Sequence, residues 1–245
     1  MSTTLVMLTL NELVSAKVIV PRIDKSLFRE ILVIDGGSSD GTIEYMKSQN
    51  FKVIVQEKIK PENAGLFYRQ KNLAKAYLIA MQNVKTKYTI IPFTPDGNMI
   101  PEMLKDLINQ VKDYDFDLVC VSRYLGKARS LDDSLISAFG NWFFTNLINV
   151  LFKGKFTDVL GGYKLIKNEF FNKIYLGKNI NNVAIGSSIV SIACLKNNCK
   201  YREIAGSEPK RIGGVSSTNP LLNGVCELKA ILEGYFIKRM FKFTK

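Results

Sequence analysis

The chain has 245 residues, 47% of them hydrophobic, and its 34 Lys and Arg against 22 Asp and Glu give a formal charge of +12 at pH 7. It has no histidine and no CxxC pair among its four cysteines, which excludes Ser-His-Asp and Cys-His catalysis and makes a mixed Cys/His zinc site implausible. The length suits one α/β domain with a C-terminal appendage, and the charge would attract phosphates, nucleic acid or anionic lipid.

The sequence predicts neither a signal peptide nor a membrane span. The N-terminus lacks a charged region followed by an apolar one. The most apolar segments, residues 142–152 and 221–243, are shorter or more interrupted than the roughly 20 apolar residues that a span needs. Cys120 and Cys194 lie inside apolar runs, where reduced, buried thiols are common. We therefore expect a cytoplasmic protein, peripheral at the inner face of the cell membrane.

Predicted strands and helices alternate along the first half of the chain. Apolar runs that stop at loop residues predict buried strands at residues 5–10, 31–34 and 51–56. Capping residues and apolar periodicity predict helices at residues 42–47 and 68–83. Alternation of this kind indicates a parallel sheet with crossover helices.

The second half mixes strands and helices without an internal repeat. Helices are predicted at residues 101–112, 132–152 and 187–196, and strands at residues 88–93, 117–122, 159–166 and 201–205. In open α/β sheets ligands bind where parallel strands end. Polar residues that follow the predicted strands are therefore candidates for one shared site, and they lie at residues 11–12, 35–42, 94–98 and 123.

The first candidate motif is Ile34-Asp35-Gly36-Gly37-Ser38-Ser39-Asp40-Gly41-Thr42. It resembles the D-D-G-S-x-D-G-T signature of family 2 glycosyltransferases, with Gly36 in place of the second acid. A carboxylate at the end of a strand can accept hydrogen bonds from a nucleobase or ribose, and glycines let a flat ring approach the backbone. The alternative is an ordinary Asp/Gly/Ser turn.

The second motif, Thr94-Pro95-Asp96, precedes Pro101-Glu102. In family 2 glycosyltransferases a D-x-D pair at this place holds the metal that bridges the two phosphates of the donor. Because Thr94 stands in place of the first acid, Asp96 would be the principal protein ligand of Mg²⁺ or Mn²⁺, with diphosphate oxygens and water completing the shell. An ordinary Pro-Asp-Gly turn is the alternative.

Three later segments resemble the dolichol-phosphate mannose synthase branch of the same family. They match its G-S-R-Y-x-x-G, D-x-x-x-G-F-R and E-x-P-x-R-x-G-x-S elements, and in this chain they are residues 119–126, 157–165 and 208–216. The resemblance covers residues 5–217 in the family's order. It implies an α/β GT-A fold with a mostly parallel central sheet and an inverting transferase that uses a UDP- or GDP-linked sugar.

The resemblance also implies roles for individual residues. Asp96 would hold the metal, Arg123 and Arg211 would face phosphates of donor or acceptor, and Asp158 could serve as a base. The nucleotide-binding positions would be Leu10, Asn11, Glu12, Asp35, Gly37, Ser38, Asp40, Pro95 and Ser216.

The prediction of the acceptor rests on the absence of an acidic residue where a general base would be expected. A base for a hydroxyl acceptor would be expected in the helix around residues 182–190, which contains no carboxylate. An anionic phosphate can attack without losing a proton, so polyprenyl phosphate is the favoured acceptor. A hydroxyl of a glycan or lipid-linked saccharide, as in cell-surface polysaccharide synthesis, is the alternative. A catalytically silent nucleotide-sugar binder and a nucleic-acid-binding protein also stay open.

The C-terminal segment, residues 220–245, is predicted to be separate from a transferase domain at residues 1–219. Apolar residues recur in it at helical spacing, and five cations accompany them: Lys229, Lys238, Arg239, Lys242 and Lys245. A basic amphipathic segment of this kind can lie among anionic lipid headgroups. The alternative is a terminal helix that packs on the domain.

Overall fold

The computed structural model describes residues 2–60, 62, 65–173, 187–212 and 219–236. Within these residues seven strands form one sheet in the order β3-β2-β1-β4-β6-β5-β7. The strands are β1 Thr3–Thr9, β2 Glu30–Asp35, β3 Lys52–Val55, β4 Tyr88–Phe93, β5 Leu118–Ser122, β6 Lys164–Lys167 and β7 Tyr201–Ala205. Of the seven described strands only β6 runs antiparallel to its neighbours, β4 and β5, so the prediction of a mostly parallel sheet is confirmed.

Eight α-helices connect or flank these strands in the described part of the chain. They are α1 Leu13–Ile19, α2 Thr42–Ser48, α3 Tyr68–Asn83, α4 Met103–Asp113, α5 Leu135–Phe152, α6 Asn168–Lys173, α7 Ile189–Lys196 and α8 Pro220–Phe236. In α4 the buried residues Leu104, Leu107, Ile108 and Val111 follow the helical period. That stripe covers one face of the sheet and explains why this segment forms a surface helix.

The sheet has a separate hydrophobic core on each face. Side chains alternate along a strand, so Val6 of β1 joins the cluster that contains Ile148, Phe171 and Ile231. Its neighbour Leu5 joins the cluster on the other face. Burial on both faces explains the continuous apolar runs from which the strands were predicted.

Two predictions from the sequence need correction here. The strand predicted at residues 159–166 begins only at Lys164, because Gly161 N donates to the Asp158 side chain at 2.8 Å and Gly162 takes a φ of 66°. This turn occupies the stretch before the strand. Helices α1 and α6 were not predicted, because they have seven and six residues and neither is preceded by a run of capping residues like the one that marked the start of α2.

Helices α5 and α8 contact each other and leave much apolar surface uncovered. Asn141, Thr145 and Ile148 form the buried side of α5, whereas its exposed side carries Leu135, Ile136, Phe139, Trp142, Phe143 and Val150. The exposed apolar residues of α8 are Leu221, Val225, Leu228, Leu232, Tyr235 and Phe236. We call these two sets the apolar face.

Helix α5 corrects the expectation that no segment is long and apolar enough to span a membrane. Its 18 residues have a mean hydropathy of 1.3, with 17% of them buried. Helix α8 touches α5, α7 and, through a hydrogen bond between Gln70 and Asn223 at 2.8 Å, α3. The described part of the C-terminal segment therefore packs on the domain with one side and exposes the other. The basic residues after Phe236 lie outside the described residues.

Candidate active site

The carboxylate of Asp35 closes β2 and holds the loop that follows it. Its Oδ1 accepts from the backbone N–H of Gly37 at 2.8 Å and of Ser38 at 2.6 Å, and its Oδ2 accepts from the hydroxyls of Thr9 and Ser38, both at 2.7 Å. The side chain is fully buried. Since a carboxylate offers about four lone-pair sites, the four hydrogen bonds give Asp35 a structural role in this loop, and its contact with a nucleoside stays a prediction.

The loops after β1 and β2 are tied together by side-chain hydrogen bonds. Ser38 Oγ accepts from Asn11 N at 2.8 Å, Asn11 Oδ1 accepts from Ser39 N at 2.9 Å, and Asp40 Oδ2 accepts from Leu13 N at 3.0 Å. Leu10 stays half exposed beside them. The two loops thus form one preorganised wall, with Leu10 and the backbone of Gly36 available to a flat ring.

Asp96, Glu12 and Arg211 meet at the ends of β4 and β1. Asp96 Oδ2 lies 3.2 Å from Arg211 Nη2, and Glu12 Oε1 lies 3.9 Å from Arg211 Nη1. Burial raises the pKa of Asp96 despite the nearby guanidinium, and burial also raises the pKa of Glu12. Two carboxylates therefore share one cation in a largely desolvated place.

Arg211 has a hydrogen-bond donor without a partner. Its Nε is buried and makes no hydrogen bond to any described residue. A buried unpaired donor is costly, and an anionic oxygen in the cleft would satisfy it. Ser216, predicted from the same motif, lies outside the described residues.

Arg123 and Asp158 form a buried ion pair behind this region. The guanidinium donates from Nε to Asp158 Oδ2 at 2.7 Å and from Nη2 to Oδ1 at 3.1 Å. Its Nη1 also reaches Glu208 at 3.1 Å and Asp133 at 3.3 Å. Although burial disfavours the charged guanidinium, the hydrogen bonds that it donates to Asp158 raise the pKa of Arg123. Three carboxylates thus compensate one cation.

This network gives both residues a structural role. Asp158 is fully buried and its oxygens also accept from Arg123 N and Gly161 N, and Arg123 reaches the cleft with its charge offset by carboxylates. The roles of Asp158 as a base and of Arg123 as a phosphate ligand stay predictions. Gly161 also packs against this pair, because a Cβ there would collide with Arg123 Nε and Asp158 Oδ2.

A large cleft joins these elements. It has a volume of about 1360 Å³ and runs from the loops after β1, β2 and β4 to helices α5 and α8. Among the residues predicted for the site, the lining includes Leu10, Asn11, Glu12, Asp40, Asp96, Arg123 and Arg211. The predicted residues Asp35, Gly37, Ser38, Pro95 and Asp158 are not part of its described lining.

Two carboxylates that line the cleft, Asp133 beside Arg123 and Glu227 on α8, were not predicted from the sequence. Glu227 of α8 is 5% exposed, lines the cleft and accepts hydrogen bonds from Ser187 and Ser188. The carboxylate of Glu227 thus lies at the start of α7. A general base was expected near this helix, but residues 182–190 contain no acid. The two segments are 39 residues apart, and no local pattern links them.

A divalent metal fits this cleft through a single protein carboxylate. No group of three or more His, Cys, Asp and Glu that could hold a metal occurs among the described residues. Mg²⁺ commonly uses one or two carboxylates together with substrate phosphates and water. Asp96 can supply one ligand to such an ion if Arg211 turns toward the diphosphate.

The comparison with protein families decides the assignment. The model of Glycosyl transferase family 2 matches residues 4–175, most of the chain. The chain belongs to glycosyl transferase family 2. It is therefore a glycosyltransferase, as the motifs at Asp35 and Asp96 predicted.

Solved structures that resemble this glycosyltransferase share its fold. A mycobacterial protein is 13% identical, with a TM-score of 0.68 over 96% of this chain and 74% of that one. Glucosyl-3-phosphoglycerate synthase from Mycobacterium tuberculosis, in complex with Mn²⁺, UDP and phosphoglyceric acid, is 16% identical, with a TM-score of 0.66 over 96% and 78%. These likenesses confirm the GT-A-like fold. The dolichol-phosphate mannose synthase branch stays a prediction.

The buried ion pair predicts a large loss of stability for Asp158→Ala. Removing one partner leaves the Arg123 guanidinium undercompensated, so the free energy of unfolding should fall by about 3–5 kcal/mol in urea titrations. The control is Glu57→Ala, which removes a carboxylate that pairs with Lys75 and is itself 93% exposed, and this change should cost under about 1 kcal/mol. Equal losses in the two variants would contradict this prediction.

The hydrogen bonds of Asp35 predict that Asp35→Asn weakens the loop as well as nucleotide binding. An amide nitrogen would face N–H or O–H donors, so the free energy of unfolding should fall by about 1–3 kcal/mol. Asp106→Asn, an exposed acid on α4, is the control. Calorimetry with UDP measures binding. Weaker binding at unchanged stability would instead indicate a direct contact with the nucleoside.

Proposed function

We propose that this glycosyltransferase moves a sugar from a nucleoside-diphosphate sugar to a membrane-associated acceptor, with Mg²⁺ or Mn²⁺ bound beside the donor. The observation that carries the proposal is the single cleft that connects Asp96 and Arg211 with the apolar face of α5 and α8. A donor with a charged diphosphate suits the first end. An acceptor with a lipid part suits the second.

The donor end has the groups that a diphosphate requires. Arg211 offers a planar fork and a buried Nε without a partner, and arginine binds phosphate through paired charge-assisted hydrogen bonds. Asp96 would hold the divalent ion, which when bound neutralises charge on the departing nucleoside diphosphate. The glucosyl-3-phosphoglycerate synthase structure in complex with Mn²⁺ and UDP supports this combination.

Two acceptors are compatible with the cleft. Polyprenyl phosphate agrees with the apolar face and with the unpaired donor of Arg211, although the charge of Arg123 is already offset by carboxylates. A hydroxyl of a glycan or lipid-linked saccharide is favoured by Glu227, since it places a carboxylate in the cleft. In either case direct displacement would invert the anomeric configuration.

The apolar face supports peripheral attachment to the inner face of the cell membrane. One side of α5 is buried against the domain, so the helix would lie in the plane of the headgroups with Trp142 and its neighbours turned to lipid. The net charge of +12 would add attraction to anionic lipid.

The metal role predicts that Asp96→Asn removes the dependence of UDP affinity on Mn²⁺. The amide keeps the size of the side chain but loses its charge, so we expect calorimetry to give the same weak affinity with and without Mn²⁺. Asp106→Asn should behave as the unchanged protein does. A variant whose affinity still rises with Mn²⁺ would remove Asp96 from the metal site. Binding without any turnover would indicate a silent family member.

The membrane role predicts that Trp142→Ser combined with Val150→Ser releases the protein from vesicles. Both side chains are exposed, at 61% and 77%, and neither lines the cleft. Co-sedimentation with phosphatidylglycerol vesicles should fall about tenfold, while affinity for UDP stays unchanged. Tyr114→Ser, which removes an aromatic ring 60% exposed elsewhere, is the control. Equal binding of all three proteins would rule out the apolar face as the contact.

A further inference from the structure

We propose that Glu227 of α8 is the general base of the transfer and that the acceptor is therefore a hydroxyl. The inference rests on the proposed glycosyl transfer and adds the class of the accepting group. It starts from the position of one carboxylate, which the structure brings into the cleft from a helix remote in sequence.

The surroundings of Glu227 fix its carboxylate at the first turn of α7. Its Oε2 accepts from Ser188 Oγ at 2.6 Å and from Ser188 N at 3.4 Å, and its Oε1 accepts from Ser187 N. These donors define where the two oxygens lie. A catalytic base must be held in place in this way, because proton transfer requires a fixed distance to the reacting hydroxyl.

Helix capping alone does not account for an acid at this position. Burying a carboxylate is costly unless a cation pairs with it, and the partners of Glu227 are two serines. Lys164 attracts it from a distance, while its own Nζ donates to Gly161 O at 3.1 Å. A glutamine could accept with one oxygen only, and its amide nitrogen would face a donor. The carboxylate of Glu227 accepts three hydrogen bonds, so one of its about four acceptor sites is left for a hydroxyl in the cleft.

The location within the cleft suits the acceptor. Glu227, Ser187 and Asn223 line the part formed by α7 and α8, and Asp96 and Arg211 line the donor end of the same cleft. The apolar face of α5 and α8 continues from this part. An acceptor with its apolar portion on that face would bring its polar end to Glu227.

The protonation equilibrium of Glu227 agrees with this role. Burial raises the pKa of its carboxyl above the usual range, which brings it closer to neutral pH, where a general base is most effective. The titratable and charged groups that face it are Tyr77 of α3, Lys164 of β6 and Cys226 beside it on α8. Burial raises the pKa of Tyr77 well above its usual value, so it stays neutral in the relevant range.

The chemical step balances without any further reactant. The acceptor hydroxyl gives its proton to an oxygen of Glu227, and its oxygen forms the new bond to the anomeric carbon. The bond from that carbon to the diphosphate breaks, and its electron pair leaves with the nucleoside diphosphate. Arg211 contacts the oxygens on which this charge collects.

The test compares Glu227→Gln with the unchanged protein, using the UDP- or GDP-sugar that stabilises the protein most with Mn²⁺. Octyl glucoside and water serve as hydroxyl acceptors, and farnesyl phosphate serves as an acceptor that needs no base. Transfer to octyl glucoside and hydrolysis of the donor should fall about 10²- to 10⁴-fold. Calorimetric affinity for the nucleotide should stay within threefold.

The pH profile separates a base from a structural residue. In the unchanged protein the rate of transfer to octyl glucoside should decline as pH falls through the raised pKa of Glu227, because the protonated acid cannot accept a proton. That acid limb should disappear in Glu227→Gln. Ser188→Ala, which keeps the carboxylate and removes one hydrogen bond to it, should lower the rate less than tenfold.

A second variant covers the case in which Glu227→Gln does not fold. Glu227→Ala leaves space for a small acid, and added formate should restore donor hydrolysis if the missing function is proton acceptance. Folding defects are not repaired in this way.

The outcomes distinguish the two proposals. Donor binding with transfer to farnesyl phosphate alone, equal in both proteins, would overturn the role of Glu227 and leave the transferase function standing. A rate in Glu227→Gln within threefold of the unchanged protein, or donor binding with no turnover of any acceptor, would also overturn it. Failure to bind any of the nucleotide sugars would contradict the proposed function itself.

Discussion

The site depends on the buried ion pair between Arg123 and Asp158. Arg123 directly follows β5 and Asp158 precedes β6, so the pair fixes the antiparallel strand β6 against its neighbour. A buried ion pair adds little to the free energy of unfolding, but removal of one partner lowers that free energy strongly, because the remaining charge stays buried. Glu208 joins the same guanidinium and thereby positions the segment that leads to Arg211.

The two arginines, Arg123 and Arg211, have different surroundings and therefore different roles. Arg123 is surrounded by three carboxylates and serves the architecture, whereas Arg211 lies at the rim with a buried donor unused. Of these two arginines, Arg211 is consequently the better placed to bind an anionic ligand at the donor end of the cleft. At its other end the lining becomes apolar and meets helices α5 and α8, which bury one side each and expose the other. A ligand with a charged head group and an apolar portion matches the charged end and the apolar end of the cleft.

The sequence correctly predicted most elements and the edge of the sheet that carries the site. Strand periodicity placed β4 at Tyr88–Phe93 and β7 at Tyr201–Ala205, with the bounds that the structure shows. Because parallel strands end at one edge, the residues after β1, β2, β4 and β5 had to lie close together. The strand at residues 159–166 was predicted too long, since its apolar residues gave no sign of the Asp158 turn that delays β6.

What the sequence determined by itself is the family, the α/β fold and the location of the cleft, because motif order and strand periodicity are local properties. Which carboxylates are free to act was decided only by tertiary contacts. Asp35 is saturated by donors from its own loop and from Thr9, and Asp158 is saturated by a guanidinium 35 residues away. Glu227 instead reaches Ser188 across 39 residues. The availability of a carboxylate depends on the donors that surround it in space, and those donors come from segments that no local pattern connects.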